Sequence, residues 1–286
     1  MKAVVTGSHG FIGKKLVDFL NSKEIEVFPL HHSKLHHEKD LREELTIIRP
    51  DIIFHFAAYG NHAHQSEVKG IFEGNIINTF NLLVAIKDLP IKGFVNVGSS
   101  SEYGKKGGPM AESDLPETDT LYGASKVATT YLSRAFAKQL NKPIVTIRPF
   151  SVFGEEEAHF RFIPRIIRSL LKSEQFELDP EPKHDWIYIQ DFLNGVFFVL
   201  SNISSLQGEV INIGTGKQYS NLQVVRELET ISKKILKTKI LKNMRKYDNN
   251  NWICSNKKLK SLGWKQQFDL KRGLQETYKY YAKQRP

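Results

Sequence analysis

The first half of the chain alternates two hydrophobic rhythms. Lys2–Thr6 is a short β-branched run, and Ile25–Leu30 reads as a second strand. Asp51–Ala57 is nearly continuous in apolar residues, as expected of a strand buried on both faces. Gly93–Val97 and Pro143–Arg148 read as two more. Between them the apolar spacing turns helical. Phe11–Asn21 carries Phe11, Ile12, Leu16, Phe19 and Leu20, and Asn75–Ile86 is a second such stretch. Thr120–Leu140 carries Leu121, Ala124, Val127, Ala128, Leu132 and Phe136. Strands and helices taking turns predict a parallel sheet with crossover helices.

After Pro149 the rhythm breaks. A glutamate-rich loop over Gly154–Ala158 leads to a helix over Phe160–Leu171, interrupted at its start by Pro164. Trp186–Ile189 and Asp191–Leu200 read as strand, turn and helix, Val210–Ile213 as a strand, and the rest as mostly helical with polar loops. The pattern predicts an α/β chain. A doubly wound parallel sheet is built from 1–150 plus 185–210, and a smaller lobe from 151–184 plus 211–286.

Composition excludes more than it adds. The 286 residues are 40% apolar and 25% charged, near globular averages, which argues against wholesale disorder, a collagen-like repeat or a coiled coil. No apolar run approaches the roughly eighteen residues of a membrane span, and Met1 to Gly7 is too short for a signal peptide. Cys254 is the only cysteine, so no intramolecular disulfide can form, which fits a cytoplasmic protein. The net charge of +10 is uneven: 221–286 holds seventeen Lys and Arg against five Asp and Glu, so the first 220 residues sum to −2. These lysines are scattered through amphipathic patterns such as Leu228, Ile231 and Ile235 rather than massed with aromatics. They read as a solvated basic surface beside an anionic small-molecule site, with neither nucleic acid nor membrane as a partner.

Three motifs carry chemistry. Thr6-Gly7-Ser8-His9-Gly10-Phe11-Ile12-Gly13 lies where the first strand gives way to the first helix. A dinucleotide pyrophosphate needs backbone N–H groups at a helix N-terminus and no side chains in the way. Gly7 and Gly10 permit the tight turn, and Gly13 lets the helix pack on the sheet. The run from Val97 to Gly104, rich in serine, follows a predicted strand directly and so faces the ligand crevice of such a sheet. In Tyr122-Gly123-Ala124-Ser125-Lys126, residues four apart share a helix face. The Lys126 ammonium would lower a phenol from about 10 toward the range useful for proton transfer.

In this order and spacing, TGSHGFIG, GSSSEYG, YGASK, RPFSVFG and the tail SNKKLKSLGW resemble the extended short-chain dehydrogenase/reductases that act on nucleotide sugars, the NAD(P)-dependent epimerase/dehydratase group. The resemblance runs from Lys2 to about Tyr281 and implies a Rossmann-like fold with a C-terminal substrate-binding lobe. It implies Ser99 as the catalytic hydroxyl, Tyr122 as the acid/base, and Lys126 as its activator and a ribose contact. Gly7, Gly10, Phe11, Ile12 and Gly13 would hold the pyrophosphate, and Asp40 and Leu41 would flank the adenine. Ala57, Ala58 and Tyr59 would line the cofactor groove. Pro149, Phe150 and Ser151 would border the nicotinamide, with Ser100, Ser101 and Ser151 on the substrate side. Asn75 matches the asparagine of the family's N-x-x-G-T helix, whose glycine is Asn78 here. The resemblance also implies a homodimer paired through the helices over Asn75–Ile86 and Thr120–Leu140.

The departures narrow the reaction. The family's dehydratases follow the Ser/Thr with acids that remove water, whereas this chain has Ser100 and Ser101, and Glu102 comes one residue late. Dehydration is therefore disfavoured. NAD-dependent members end the second strand with an Asp that holds the ribose diol. Here His31 stands there, followed by His32, Ser33 and Lys34, which favours NADP(H), with NAD(H) as the alternative. No acidic or cysteine partner accompanies His31, His32, His36 and His37, so no metal site is expected. The family's Arg-Asp-Phe/Tyr element becomes His184-Asp185-Trp186, which shifts the diphosphate contact to Arg245, with Arg161 and Arg165 as further candidates. Pocket residues near His62, His64 and Gln65 are expected to help select the nucleotide, the sugar and the face attacked. The sequence thus implies an NADPH-dependent reductase of a nucleotide-activated 4-keto-6-deoxy sugar. The alternatives are an NAD-dependent nucleotide-sugar epimerase, a sugar C4 dehydrogenase, or, outside enzymes, a non-catalytic nucleotide- or RNA-binding relative.

Overall fold

The computed structural model describes residues 1–61, 64–241 and 251–284. In chain order the elements are β1 (Lys2–Thr6), α1 (Phe11–Asn21), β2 (Glu26–Leu30), α2 (Glu38–Ile48), β3 (Ile52–His55) and α3 (Val68–Ile71). A π-helical segment (Phe72–Ile77) leads into α4 (Asn78–Ala85), β4 (Gly93–Val97), a 3₁₀ turn (Ser100–Tyr103), α5 (Leu121–Gln139) and β5 (Ile144–Pro149). Then come β6 (Ser151–Phe153), α6 (Phe162–Lys172), β7 (Phe176–Leu178), β8 (Lys183–His184), β9 (Trp186–Tyr188) and α7 (Ile189–Ser201). The chain continues through β10 (Val210–Ile213), β11 (Tyr219–Ser220), α8 (Asn221–Ser232), β12 (Thr238–Ile240), α9 (Lys257–Ser261) and α10 (Leu270–Lys283).

One compact unit takes in Met1–Gly104, Glu112–Pro149 and Leu193–Asn212. Its six-stranded sheet has the order β10-β5-β4-β3-β1-β2. The pairings β1–β2, β1–β3, β3–β4 and β4–β5 are parallel. From β1 the chain goes first to one side and then, at β3, to the other. That reversal makes the C-terminal ends of β1 and β3 the topological switch point, where such sheets bind ligands. β3 and β4 are buried along their whole length, as their apolar runs predict. Val4, Ile53 and Phe94 form a core with Leu41, Leu45 and Leu82.

Three elements differ from the sequence expectation. Helix α2 is an addition: Glu38, Lys39, Asp40, Arg42, Glu43 and Glu44 mask the buried Leu41, Leu45 and Ile48, which share its inner face. The helix expected over Asn75–Ile86 begins at Val68 and carries the π-helical segment in its middle. Pro164 does not interrupt α6. It is the third helical residue, where a backbone N–H has no intrahelical acceptor to lose.

The second unit comprises Lys105–Ala111, Phe150–Phe192 and Ile213–Pro286. It holds the short pairs β6–β9 (parallel), β8–β11 (antiparallel) and β7–β12 (parallel), with α6, α8 and α10 packed on one another. Buried carboxylates hold its loops. Asp185 accepts hydrogen bonds from Thr215 N (2.8 Å), Thr215 Oγ1 (2.6 Å), Gly216 N (2.8 Å) and Cys254 N (3.1 Å). Asp191 accepts from Gln267 N (2.9 Å) and Phe268 N (2.8 Å). No helix among the described residues is long and apolar enough to cross a membrane.

Candidate active site

The turn between β1 and α1 requires glycine at two positions. Gly7 has φ +69°, and a Cβ there would lie 2.6 Å from Ala57 N. A Cβ on Gly13 would strike the Gly7 carbonyl. The Gly10 N–H donates to Gly7 O (3.0 Å) and closes the turn. Gly10 is also the N-cap of α1, whose first turn, beginning Phe11-Ile12-Gly13, carries neither a side-chain cap nor an acidic residue. A helix N-terminus left open beside a turn framed by Gly7 and Gly10 fits a pyrophosphate.

The outer positions are mixed. His31 follows β2 and caps the turn His32–His36, with its Nδ1 2.8 Å from Ser33 Oγ and its ring centroid 4.2 Å from that of His32. Lys34 is paired with Glu44 at 3.2 Å, a carboxylate that the linear reading did not set against it. Asp40 is exposed, but Leu41 is fully buried in the core, so its side chain is not presented to an adenine as the resemblance implies. Among the described residues no three metal-ligating side chains converge.

Beneath the switch point runs a chain of buried hydrogen bonds with a fixed direction. Ala57 N donates to Thr6 Oγ1 (3.1 Å), which lies 2.8 Å from His55 Nδ1; His55 Nε2 lies 2.9 Å from Thr79 Oγ1, which donates to Asn75 O (2.6 Å). Because Thr79 donates onward, it accepts from His55, so the proton is on Nε2 and Thr6 donates to Nδ1. Burial and the nearby Lys126 charge push His55 down to about 3, which keeps it neutral. Asn75 then ties in α5: its Nδ2 donates to Tyr59 O and Ser125 Oγ (both 2.8 Å), its Oδ1 accepts from Tyr59 N (2.7 Å), and Ser125 Oγ donates to Tyr122 O (2.7 Å). Ala58 is exposed. Sequence reading assigned none of this to Thr6, His55 or Thr79. The available signal was a histidine inside the otherwise apolar run IIFHFA.

Ser99 caps the 3₁₀ turn, its Oγ accepting from Ser101 N (3.1 Å). Lys126, on α5, donates to the carbonyl of Val97 at 2.7 Å, two residues before Ser99. Burial lowers the Lys126 ammonium to about 8, and the Glu102 carboxylate opposes that shift. Tyr122 is half-buried one turn earlier, with its ring beside Gly60. Glu102, fully buried, does not face outward as a second acid. Its Oε1 accepts from Ser99 N (2.8 Å), and its Oε2 from Thr130 Oγ1 (2.9 Å) and from Arg148 Nε and Nη2 (2.9 and 2.7 Å). Burial pushes this carboxyl up while Arg148 pulls it back. Ser100 is buried and Ser101 partly so.

The remaining candidates are spread. Pro149 ends β5, and Phe150 is buried. In the second unit, Ser151 N donates to Asp185 O (3.0 Å), and Arg165 lies 4.9 Å over the Phe176 ring. The His184 ring lies 5.2 Å from that of Trp186. Arg161 is the N-cap residue of α6, its Nε 3.3 Å from Glu157 Oε1. Glu157 is buried with Oε2 unpartnered; burial pushes it up to about 7 and Arg161 pulls it back. Gln65 Oε1 accepts from Gly60 N (3.1 Å). His62 and Arg245 lie outside the described residues.

Known proteins match this arrangement. The model of the NAD dependent epimerase/dehydratase family matches residues 3–214. The uncharacterized UDP-glucose epimerase YtcB of Bacillus subtilis (strain 168) is 29% identical over 99% of this chain and 98% of its own length. The GDP-6-deoxy-D-talose 4-dehydrogenase of Aggregatibacter actinomycetemcomitans is 29% identical over 81% of this chain and 80% of its own. Among solved structures, the UDP-glucuronic acid 4-epimerase of Bacillus cereus, in complex with UDP-glucuronic acid and NAD, is 26% identical, with a TM-score of 0.87 and 100% of each chain covered.

Proposed function

From the premise that the chain belongs to the NAD dependent epimerase/dehydratase family, we propose that it is an NADPH-dependent reductase of a nucleotide-activated 4-keto-6-deoxy sugar. The observation that carries this reading is the engagement of Glu102. With its carboxylate taken up by Ser99 N, Thr130 and Arg148, and with serines at 100 and 101, the site offers a hydroxyl, a phenol and an ammonium, and the acid that follows Ser99 in sequence is engaged in the interior rather than placed to remove water. The relative named a 4-dehydrogenase of a GDP-6-deoxy sugar supports C4 chemistry of this kind in the oxidising direction.

A bound nicotinamide supplies the hydride. Tyr122 donates its phenolic proton to the C4 oxygen as that oxygen gains charge. Ser99, its acceptor side taken by Ser101 N, is oriented to donate to the same oxygen. Lys126 eases the loss of the Tyr122 proton and holds its own place through Val97 O. The Gly7–Gly13 turn binds the pyrophosphate. His31 and His32 would hold the 2′-phosphate of a bound NADPH, since Lys34 shares its charge with Glu44. Arg161, Arg165, His184 and Arg245 belong to the substrate diphosphate.

A second reading, a nucleotide-sugar epimerase, is favoured by the relatives named as epimerases. The subunits pair as a homodimer through the face of α4 and α5, on or beside which Phe72, Phe80, Leu121 and Tyr131 are 52%, 44%, 57% and 51% exposed.

The test follows NADPH absorbance with freshly generated nucleotide-linked 4-keto-6-deoxy sugars, with NADH in parallel. Turnover with NADPH supports the reductase, and Tyr122→Phe then lowers kcat at least about 100-fold with cofactor binding retained. Faster turnover with NADH overturns the role given to His31. Inversion of a sugar centre with no net cofactor consumption identifies the epimerase instead.

A further inference from the structure

We propose that Glu102 and Arg148 form a positioning pair for the reaction, fixing the Ser99 hydroxyl and supplying the negative charge that accompanies Lys126. The proposal rests on reading Ser99, Tyr122 and Lys126 as the reactive set. It assigns a task to two residues that touch neither cofactor nor substrate.

The pair is deeply buried, with side-chain exposures of 3% for Arg148 and 0% for Glu102. One carboxylate joins three elements: the turn carrying Ser99 through its backbone N–H, α5 through Thr130, and β5 through Arg148. Thr130 lies one helical turn beyond Lys126. Arg148 is seated in turn over the Tyr103 ring at 4.5 Å, and Tyr103 OH donates to Asn212 Oδ1 on β10 at 2.7 Å. The neighbouring backbone makes room for the carboxylate, because a Cβ on Gly98 would collide with Glu102 Oε1.

Stability alone is a poor reason for such a pair. Two buried charges give up their hydration, and well-packed apolar residues of the same volume often serve as well or better. An apolar side chain at 102, however, would leave the Ser99 N–H without its acceptor and Lys126 without a counter-charge. The charged or titratable groups around Lys126 are few. His55, on β3, is held neutral by burial and by Lys126 itself. Tyr122 lies one turn earlier on the same helix. Arg148 is already bound to the carboxylate. The Glu102 carboxylate is the charge that opposes the lowering of the buried Lys126 ammonium by desolvation.

Two double variants separate the two tasks while sparing Arg148 from standing alone. E102Q/R148M removes both charges but keeps an amide oxygen for the Ser99 N–H. E102L/R148M removes the acceptor as well. The first readout is the titration of Lys126 in ¹³C-lysine-labelled protein, its resonance assigned by loss in Lys126→Met. We expect the midpoint in E102Q/R148M to fall below that of the wild type; an unchanged midpoint overturns the electrostatic task. The second readout is reductase turnover. E102L/R148M should lose about 100-fold in kcat with NADPH affinity within about twofold of wild type. E102Q/R148M should keep near-wild-type kcat at pH 6 and lose it at lower pH than the wild type on the alkaline side. Equal kcat in the two variants at pH 6 overturns the positioning of Ser99. If the wild type turns over no 4-keto sugar, the reductase reading fails, while the Lys126 titration still decides the electrostatic task of the pair.

Discussion

Lys126 puts activity and stability at odds. Burial pushes its ammonium down from the ordinary lysine value of 10.5 to about 8. As pH rises through about 8 the charge beside Tyr122 is lost, so kcat should fall with a midpoint near there in a pH–rate profile. The stability contribution runs the other way. Between about 8 and 10.5 the unfolded chain holds the proton and the folded chain does not, so stability rises with pH in that window. Glu157 gives a second case of opposite sign. Its carboxyl is raised from 4.5 to about 7, so the folded state holds the proton longer. Stability present below 4.5 is lost as pH rises through 7. Glu157→Gln should flatten that loss, by on the order of 2 kcal/mol, in denaturant melts at pH 5 and pH 8. The glycine turn, the serine turn after β4 and the one-turn spacing of Tyr122 and Lys126 on α5 were legible because their signatures are local in sequence. Glu102 was not: its burial depends on Arg148, 46 positions away, and on Thr130 across a helix.

At the scale of elements, the second unit depends on single acceptors. Asp185 receives four donors from three residues of two distant segments. Asp185→Asn keeps one good acceptor oxygen and turns an NH₂ toward N–H groups, leaving buried donors unpaired. We expect a loss of about 2–4 kcal/mol, read as a lowered Tm in calorimetry. The core strands of the parallel sheet could be read from apolar runs because burial on both faces imposes them. Helix α2 could not be read as easily, since its buried stripe of Leu41, Leu45 and Ile48 is narrow and set among charges. The π-helical segment is invisible to any reading that averages hydrophobicity over several turns, because one residue too many alters phase and not composition.

For the whole molecule, the exposed aromatics of α4 and α5 make assembly testable. Phe80 and Tyr131 lie on helices that pack together, and the Phe80 ring stands 6.4 Å from that of Phe136. Sedimentation should give a dimer for the wild type and a monomer for Phe80→Glu/Tyr131→Glu; a wild-type monomer would remove the assembly. The π-helical segment has a consequence for how such chains diverge. Phe72–Ile77 holds Asn75 where it bonds the backbone of Tyr59 and the hydroxyl of Ser125. Loss of one codon within it would restore an ordinary α-helix and leave α4 and the sheet intact. Helix α3, directly upstream, would turn by roughly 100° and advance by about 1.5 Å along the axis. A descendant could thus re-aim α3 in one deletion, a route that no series of substitutions at the same positions would follow.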